Sequence, residues 1–209
     1  MPSPAPPFPR RVLPHELAAL PDAARAARHE SSQDAPSPVR DGPDPLEYGV
    51  WWHETLEFVP WSADDAAVAA HGAAAKARAR ERGFAGRAGE EWDRLLASEP
   101  WRVMRDPRWT RLAEAGIFAP LSPDSWIDGV IDLVLHDPKA GELWIVDWKT
   151  NRRGAGEDDA SLLRRLAAEY AGQLGAYGAS AAAFFPGLAV RLWVYSTVAG
   201  AWTRVEAPT

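Results

Sequence analysis

Two aspartates and a lysine lie in two apolar segments that are rich in β-branched residues. Asp132 belongs to residues 126–136 (WIDGVIDLVLH), and Asp147 and Lys149 belong to residues 142–150 (ELWIVDWKT). An unpaired charge is costly in an apolar strand, so each of the three side chains needs a partner. Two neighbouring carboxylates are neutralised by a hard divalent cation such as Mg²⁺ or Mn²⁺, which prefers oxygen ligands. The alternative is a buried ion-pair cluster of the two acids with Lys149.

The turn between the two segments decides whether the acids meet. Residues 137–141 (DPKAG) have the composition of a turn, which predicts a β-hairpin. If the loop consists of residues 138–141, Asp132 and Asp147 are direct cross-strand neighbours, with Cβ atoms about 5 Å apart. Lys149 then points to the same face as Asp147. A loop longer by one residue would place the two acids on opposite faces of the sheet.

The predicted order of elements is helices, a hairpin, a helix and a strand. Periodicity and capping signals predict helices over residues 48–58, 62–82, 89–98, 106–115 and 160–184. Two further strands are predicted over residues 188–197 and 202–206. This order predicts an α/β fold with a small mixed sheet.

The N-terminal part of the chain differs in composition from the rest. Residues 1–45 are rich in Pro and Ser, which predicts an arm or linker with one short helix at 15–27. The folded domain is then 46–209. Its helical part is predicted to be 46–118, and the hairpin, helix and strand follow in 119–209.

Composition and charge exclude several classes of site. The chain has 209 residues, no Cys and a formal net charge of −6. The absence of Cys excludes disulfides, Cys-based zinc sites and an iron–sulfur cluster. The negative charge counts against an autonomous high-affinity DNA binder, but not against an acidic site in which a bound cation supplies positive charge. No segment predicts a membrane span or a signal peptide, so we expect a cytoplasmic location.

Basic and aromatic residues of the helical region each allow two interpretations. The run at 76–82 (KARARER) is typical of a solvated helix end, and a DNA-backbone contact is the alternative. The tryptophans of this region favour core packing, and stacking on unpaired bases is the alternative.

Four short motifs lie in order along the chain. They are residues 49–57 (GVWWHETLE), 129–132 (GVID), 146–150 (VDWKT) and 173–177 (QLGAY). Together they resemble the motifs of RecB-family nucleases in the PD-(D/E)XK superfamily: G-x-x-x-H-x-x-L-E, G-x-[IV]-D, a hydrophobic residue with D-[YW]-K-T, and Q-x-x-x-Y. The resemblance implies a restriction-endonuclease-like α/β core, in which helices flank a small mixed β-sheet, with an N-terminal helical region.

The resemblance also implies roles for the residues at the centre of the site. His53, Asp132 and Asp147 would bind Mg²⁺ or Mn²⁺, together with the main-chain carbonyl of Trp148. Lys149 would orient the attacking water and stabilise charge on the phosphate. Phosphodiester hydrolysis by metal-assisted attack of water is therefore the expected chemistry.

Further positions match the family outside this centre. Gln173 and Tyr177 share one helix face and would support the site or contact the DNA. The family often has another acid, and Glu114 is the candidate for it. Residues 114–118 (EAGIF) are one residue longer than the usual E-x-P-F.

One segment and one absence bear on the partner. Residues 10–17 (RRVLPHEL) resemble the connection between helicase and nuclease in AddA-like proteins. No G-x-x-x-x-G-K-[ST] phosphate loop is present, so we expect no helicase motor within this chain. The resemblance implies a superfamily-1 helicase that is fused upstream or is a partner subunit. The resemblance implies a DNA exonuclease or endonuclease that acts on single-stranded ends in double-strand-break repair and recombination. The alternative is a catalytically silent DNA-binding or scaffold module of the same fold.

Overall fold

The computed structural model describes residues 10–12, 45–122 and 125–207 of the chain. In this part, helices lie on both faces of one mixed β-sheet, which confirms the predicted α/β architecture. The helices are α1 (Pro45–Glu57), α2 (Asp65–Glu81), α3 (Ala85–Ala97), α4 (Glu99–Met104) and α5 (Asp159–Phe184). The strands are β1 (Arg10–Val12), β2 (Thr110–Ser122), β3 (Ser125–Asp137), β4 (Glu142–Lys149), β5 (Ala189–Ser196) and β6 (Ala201–Val205).

Short polar residues fix where three of the helices begin. The side-chain oxygens of Asp64, Ser98 and Asp158 each accept a hydrogen bond from the main-chain N–H three residues further on. Each such cap stabilises its helix by about 1 kcal/mol. Among the described helices, none has the length and apolar character needed to cross a bilayer.

The helix predicted over residues 106–115 is wrong, because β2 begins at Thr110. Leu, Ala and Glu in this segment favour a helix locally. However, β2 pairs with β3 from Thr110 to Ser122, and this long-range pairing overrides the local preference. Residues 110–118 therefore belong to the sheet and not to the helical part of the domain.

Two other features lie outside the predicted elements. The helix α4 was not predicted, and neither was β1, which pairs in parallel with Ser125–Ile127 of β3. The short helix predicted at 15–27 lies outside the described residues. The division of the chain at residue 45 stays a prediction.

The central strand of the sheet is β3. Along one edge it pairs with antiparallel β2. The other edge is shared by β1, which pairs with residues 125–127, and antiparallel β4, which pairs with residues 133–137. The interval between these two pairing regions ends at Asp132. Beyond β4, the sheet continues with parallel β5 and antiparallel β6.

The predicted register of the β3–β4 hairpin is confirmed. Asp137 pairs with Glu142, and Leu133 pairs with Val146. Asp137 Oδ1 accepts main-chain hydrogen bonds from Lys139 and Ala140 across the four-residue loop. The loop ends at Gly141, whose φ of +67° favours glycine. Local turn chemistry therefore sets the register that the acids require.

The sheet separates two hydrophobic cores. Helices α1 to α4 cover one face, and α5 covers the other. Six tryptophans of the helical side are at most 8% exposed: Trp51, Trp52, Trp61, Trp92, Trp101 and Trp109. Core packing, as predicted, is their role, and they are not available to stack on DNA bases.

The strands β2 and β3 change faces at one position. Leu133 contacts the core of the helical side, whereas Ile131 contacts the core under α5. Ala113 and Ala115 differ in the same way. Residues two apart normally share a face, so both strands twist sharply here. Glu114 lies at the twist of β2, and its φ of +49° is in the left-handed region.

Candidate active site

The pairing of β3 with β4 ends one residue before the two aspartates would meet. Leu133 and Val146 are the last paired residues on this side of the hairpin. The N–H of Trp148 donates a hydrogen bond to Asp132 Oδ2 at 2.6 Å. Where the strands part, the carboxylate of Asp132 thus accepts a hydrogen bond in place of a main-chain carbonyl. Asp132 is buried, with 7% of its surface exposed.

The side chains of His53, Glu114 and Asp132 come from three different elements and lie close together. His53 Nδ1, from α1, lies 3.3 Å from Asp132 Oδ1 and 3.6 Å from Glu114 Oε1 of β2. One ligand atom of each of these three residues lies within 4.8 Å of the other two. An imidazole nitrogen and two carboxylate oxygens at this spacing can bind one divalent cation. The longer spacing after Glu114 does not keep this residue away from the site.

Asp147 is enclosed by partners that hold its two oxygens differently. Gln173 Nε2 donates to Asp147 Oδ1 at 3.2 Å. Lys149 Nζ lies 2.6 Å from Asp147 Oδ2, yet within the described residues this oxygen accepts no hydrogen bond of good geometry. The carboxylate is 2% exposed. A buried oxygen with an ion pair but no aligned donor is suited to binding a cation.

Side chains of helix α5 contact both members of the Asp147–Lys149 pair. Gln173 Nε2 lies 3.4 Å from the hydroxyl of Tyr177, which donates to the carbonyl of Val130 at 2.9 Å. Both side chains are buried, which favours support of the site over contact with DNA. Tyr170, on the same helix, places its ring centroid 4.0 Å from Lys149 Nζ. This cation–π contact was not predicted, although Tyr170 and Tyr177 are seven residues apart and share a helix face.

The clustered acids perturb the titration of their neighbours. Burial alone lowers the pKa of His53, but hydrogen bonds and charge from Asp132 and Glu114 raise it to about 10. Burial raises the pKa of Asp147, Lys149 lowers it, and Asp132 raises it; the net direction is upward. Excess negative charge therefore holds protons on basic groups here, as it would hold a cation.

The site opens to solvent through a cleft of about 480 Å³. His53, Glu114, Lys149 and Tyr170 are among its lining residues. A larger groove of about 550 Å³ lies between β2 and the end of α5. That groove is apolar, and none of the predicted site residues lines it. The smaller cleft is therefore the one whose lining side chains could bind a cation or take part in a reaction.

The predicted site residues form two groups of contacts, which the main chain between Asp147 and Trp148 joins. The ligand atoms that lie close enough to hold one cation belong to His53, Glu114 and Asp132, and Asp147 is not among them. The contacts run from His53 to Asp132, from Asp132 to the main chain of Trp148, and from Asp147 to Lys149 and Gln173. Tyr177 completes the second group through Gln173. The donor set fits a hard divalent cation, because it is mostly carboxylate oxygen and contains no sulfur.

Comparison with known proteins places the chain in a family. A model of the PD-(D/E)XK nuclease superfamily matches residues 14–198, which include all of the candidate site residues. No protein of curated function matches the chain significantly. Nucleases of this superfamily hydrolyse phosphodiester bonds and use divalent metal ions. The match extends over most of the chain, which therefore belongs to the PD-(D/E)XK nuclease superfamily.

Proposed function

We propose that this protein is a Mg²⁺- or Mn²⁺-dependent deoxyribonuclease whose cation is held by His53, Asp132 and Asp147, with Glu114 as a further ligand. The observation that carries the proposal is the cluster at the parting of β3 and β4. There, one nitrogen and two carboxylate oxygens lie within 4.8 Å, beside the buried Asp147–Lys149 pair. A bound cation would neutralise the phosphate and lower the pKa of a bound water.

The side chains around the cation have distinct tasks in this proposal. Lys149 holds its proton, because the acids beside it raise its pKa although burial acts in the opposite direction. Its ammonium group is then a fixed positive charge that orients the attacking water and stabilises the phosphate in the transition state. Gln173 keeps Asp147 in place, and Tyr177 ties the helix that carries Gln173 to β3.

The proposed substrate is single-stranded DNA at an end. Support comes from the resemblance to RecB-family motifs, and from the AddA-like segment at residues 10–17. By the same resemblance, the chain would be the exonuclease or endonuclease module of a helicase–nuclease in double-strand-break repair and recombination. It would act in the cytoplasm with a superfamily-1 helicase.

The test uses linear single-stranded DNA with Mg²⁺, Mn²⁺ or EDTA. We expect degradation with either metal and none with EDTA. Asp147→Asn keeps the shape of the side chain and removes its charge, so the rate should fall at least about a hundredfold. Circular dichroism should show an unchanged fold, and Asp93→Asn, at an exposed position, should cut like the parent.

Two outcomes would change the proposal. If Asp147→Asn cuts as fast as the parent, the assignment of the site is wrong. If the parent binds DNA but cuts it with neither metal, the chain is instead a catalytically silent DNA-binding or scaffold module.

A further inference from the structure

A notch of about 380 Å³ lies beside the candidate active site, between α3 and the loop that follows β4. Its charged lining residues are Arg87, Arg94, Arg152, Arg153, Glu90 and Glu91. Arginines outnumber acids here, although the chain as a whole carries a net charge of −6. The notch is thus a local concentration of positive charge on an acidic protein.

Two of the four arginines have acidic partners. Arg87 pairs with the buried Glu91 at 2.7 Å, and Arg153 pairs with Asp159. Arg94 donates to the carbonyl of Val198 at 2.8 Å and forms no ion pair with a described residue. The exposed guanidinium of Arg152 has neither a hydrogen bond nor an ion pair within the described residues. The notch therefore keeps positive charge that the protein does not itself neutralise.

The arginines are held close together by the main chain. Arg94 and Arg153 both donate to the carbonyl of Val198, at 2.8 and 3.5 Å, so their like charges repel. The stem of Arg94 lies against Gly200, where an added Cβ would come within 2.3 Å of Arg94 Cγ. An anion with several oxygens would relieve this repulsion, and guanidinium groups match phosphate oxygens in geometry.

The loop that carries Arg152 is itself fixed in place. Arg165 of α5 donates to the carbonyl of Arg152 at 3.1 Å and pairs with Glu157 at 2.9 Å. The N–H of Gly154 donates to the same Glu157 side chain at 2.7 Å. A guanidinium on a pre-organised loop loses less entropy when it binds a ligand.

The notch adjoins the active-site cleft. Arg87, which lines the notch, donates to the carbonyl of Thr150 at 2.8 Å, and Thr150 lines the cleft. Arg152 follows Lys149 by three residues, a reach of at most about 10 Å. A strand whose phosphate lies at Lys149 can therefore present a second phosphate to the notch.

We propose that this notch binds a backbone phosphate of the DNA substrate, at least one nucleotide away from the phosphate that is cleaved. The proposal rests on the proposed nuclease function. The run at 76–82 is a weaker candidate, because Lys76 pairs with Asp93 at 2.6 Å and Arg82 pairs with Glu54 at 3.1 Å.

The test compares Arg152→Glu with Arg102→Glu in the full chain. Arg102 is an exposed arginine of α4 that lines neither the notch nor the cleft. Binding of a fluorescent oligothymidylate is measured by anisotropy in EDTA at several salt concentrations. Arg152→Glu should weaken binding about tenfold or more and reduce the slope of log K against log salt by about 0.7 or more. Arg102→Glu should change neither.

Cleavage supplies a second measurement. With Mg²⁺, Arg152→Glu should raise KM for a long oligonucleotide and leave kcat unchanged. A dinucleotide is too short to reach the notch, so its cleavage should not change.

The two proposals fail in different ways. If the parent cuts DNA and Arg152→Glu binds and cuts like the parent, the notch is not a phosphate site and the nuclease proposal stands. If the parent does not cut DNA but binds it in an Arg152-dependent manner, the notch stands and the nuclease proposal fails. If the parent neither binds nor cuts DNA, both are wrong.

Discussion

Asp132 uses its two carboxylate oxygens for different contacts. Oδ2 accepts the hydrogen bond of Trp148 N–H, which fixes the carboxylate where β3 and β4 part. Oδ1 faces His53. Replacing Asp132 thus removes a strand contact as well as a proposed cation ligand. Asp147 keeps its side-chain oxygens for Gln173, Lys149 and the cation, so its replacement tests the chemistry with less effect on the sheet.

Lys149→Ala should separate turnover from metal binding. The ammonium group is not a cation ligand, so affinity for Mn²⁺ should stay close to that of the parent. Turnover should fall about a hundredfold or more, because a fixed charge at the transition state is lost. Isothermal titration and single-turnover cleavage measure the two effects, with the exposed Lys139→Ala as the control. A loss of metal affinity as large as that of Asp132→Ala would indicate a structural ion pair instead.

Metal binding should be linked to a proton on His53. In the metal-free protein, Asp132 and Glu114 outweigh burial and raise the pKa of His53 to about 10, so the imidazole is charged at neutral pH. A histidine must be neutral to bind a metal ion, and binding therefore displaces this proton. Affinity should rise with pH and level off near pH 10.

Calorimetry can count the displaced proton. Titration of Mn²⁺ at pH 7.5 in two buffers of different ionisation enthalpy should give different heats, and His53→Ala should remove most of the difference. Identical heats for the parent in both buffers would show either that His53 carries no proton or that metal binding does not displace its proton.

The residues that sequence could place are those in local, sequential elements. The register of the β3–β4 hairpin was predicted correctly because a four-residue turn sets it. The pairing of Asp132 with Asp147 was not, because the strands part after Leu133 and Val146. The position of Glu114 was harder to predict, because it depends on the long-range pairing of β2 and on a left-handed backbone conformation. Neither property has a local signal in a segment that favours a helix.

The twist of β2 and β3 is the feature of the elements that shapes the site. It changes the face of β3 between residues 131 and 133 and that of β2 between residues 113 and 115, and it places Glu114 beside His53. A non-glycine residue in the left-handed region costs about 1 kcal/mol or more. Such a cost is maintained only where the surroundings fix the conformation, as they do at functional sites.

Comparing Glu114→Gly with Glu114→Ala should reveal this cost. Both variants lose the carboxylate, but only glycine adopts a φ near +49° without strain. Glu114→Gly should therefore be more stable than Glu114→Ala by about 1 kcal/mol, less the entropy that glycine adds to the unfolded chain. Urea unfolding without metal measures the difference.

The nuclease activity of the same two variants tests whether Glu114 binds the metal ion. If Glu114 is a ligand, both variants should need more Mn²⁺ than the parent for half-maximal cleavage. If Glu114→Gly is less stable than Glu114→Ala by the full entropy of glycine, about 0.4–1 kcal/mol, the left-handed conformation carries no strain. An unchanged requirement for Mn²⁺ would remove Glu114 from the ligand set.

At the scale of the whole molecule, the notch is a local excess of positive charge on an acidic protein. The formal net charge is −6, and the candidate site is itself acidic. The uncompensated guanidinium groups of the notch offer few contacts to phosphates. Because few counterions are released from DNA, the affinity of the isolated chain for DNA should be weak at physiological salt.

A helicase partner should compensate for this weak affinity. A short linker raises the local concentration of DNA at the nuclease to about millimolar. In the proposed helicase–nuclease, residues 1–40 would be the attachment point. Their deletion removes β1, which pairs with β3 at the end remote from Asp132. We expect the truncated chain to keep its hydrolytic site.

Fusion to a superfamily-1 helicase should strongly raise degradation of long linear DNA in the presence of ATP. Tight, processive degradation by the isolated chain at about 0.15 M salt would contradict this expectation and would mean that its own surface binds DNA through more contacts than the notch provides.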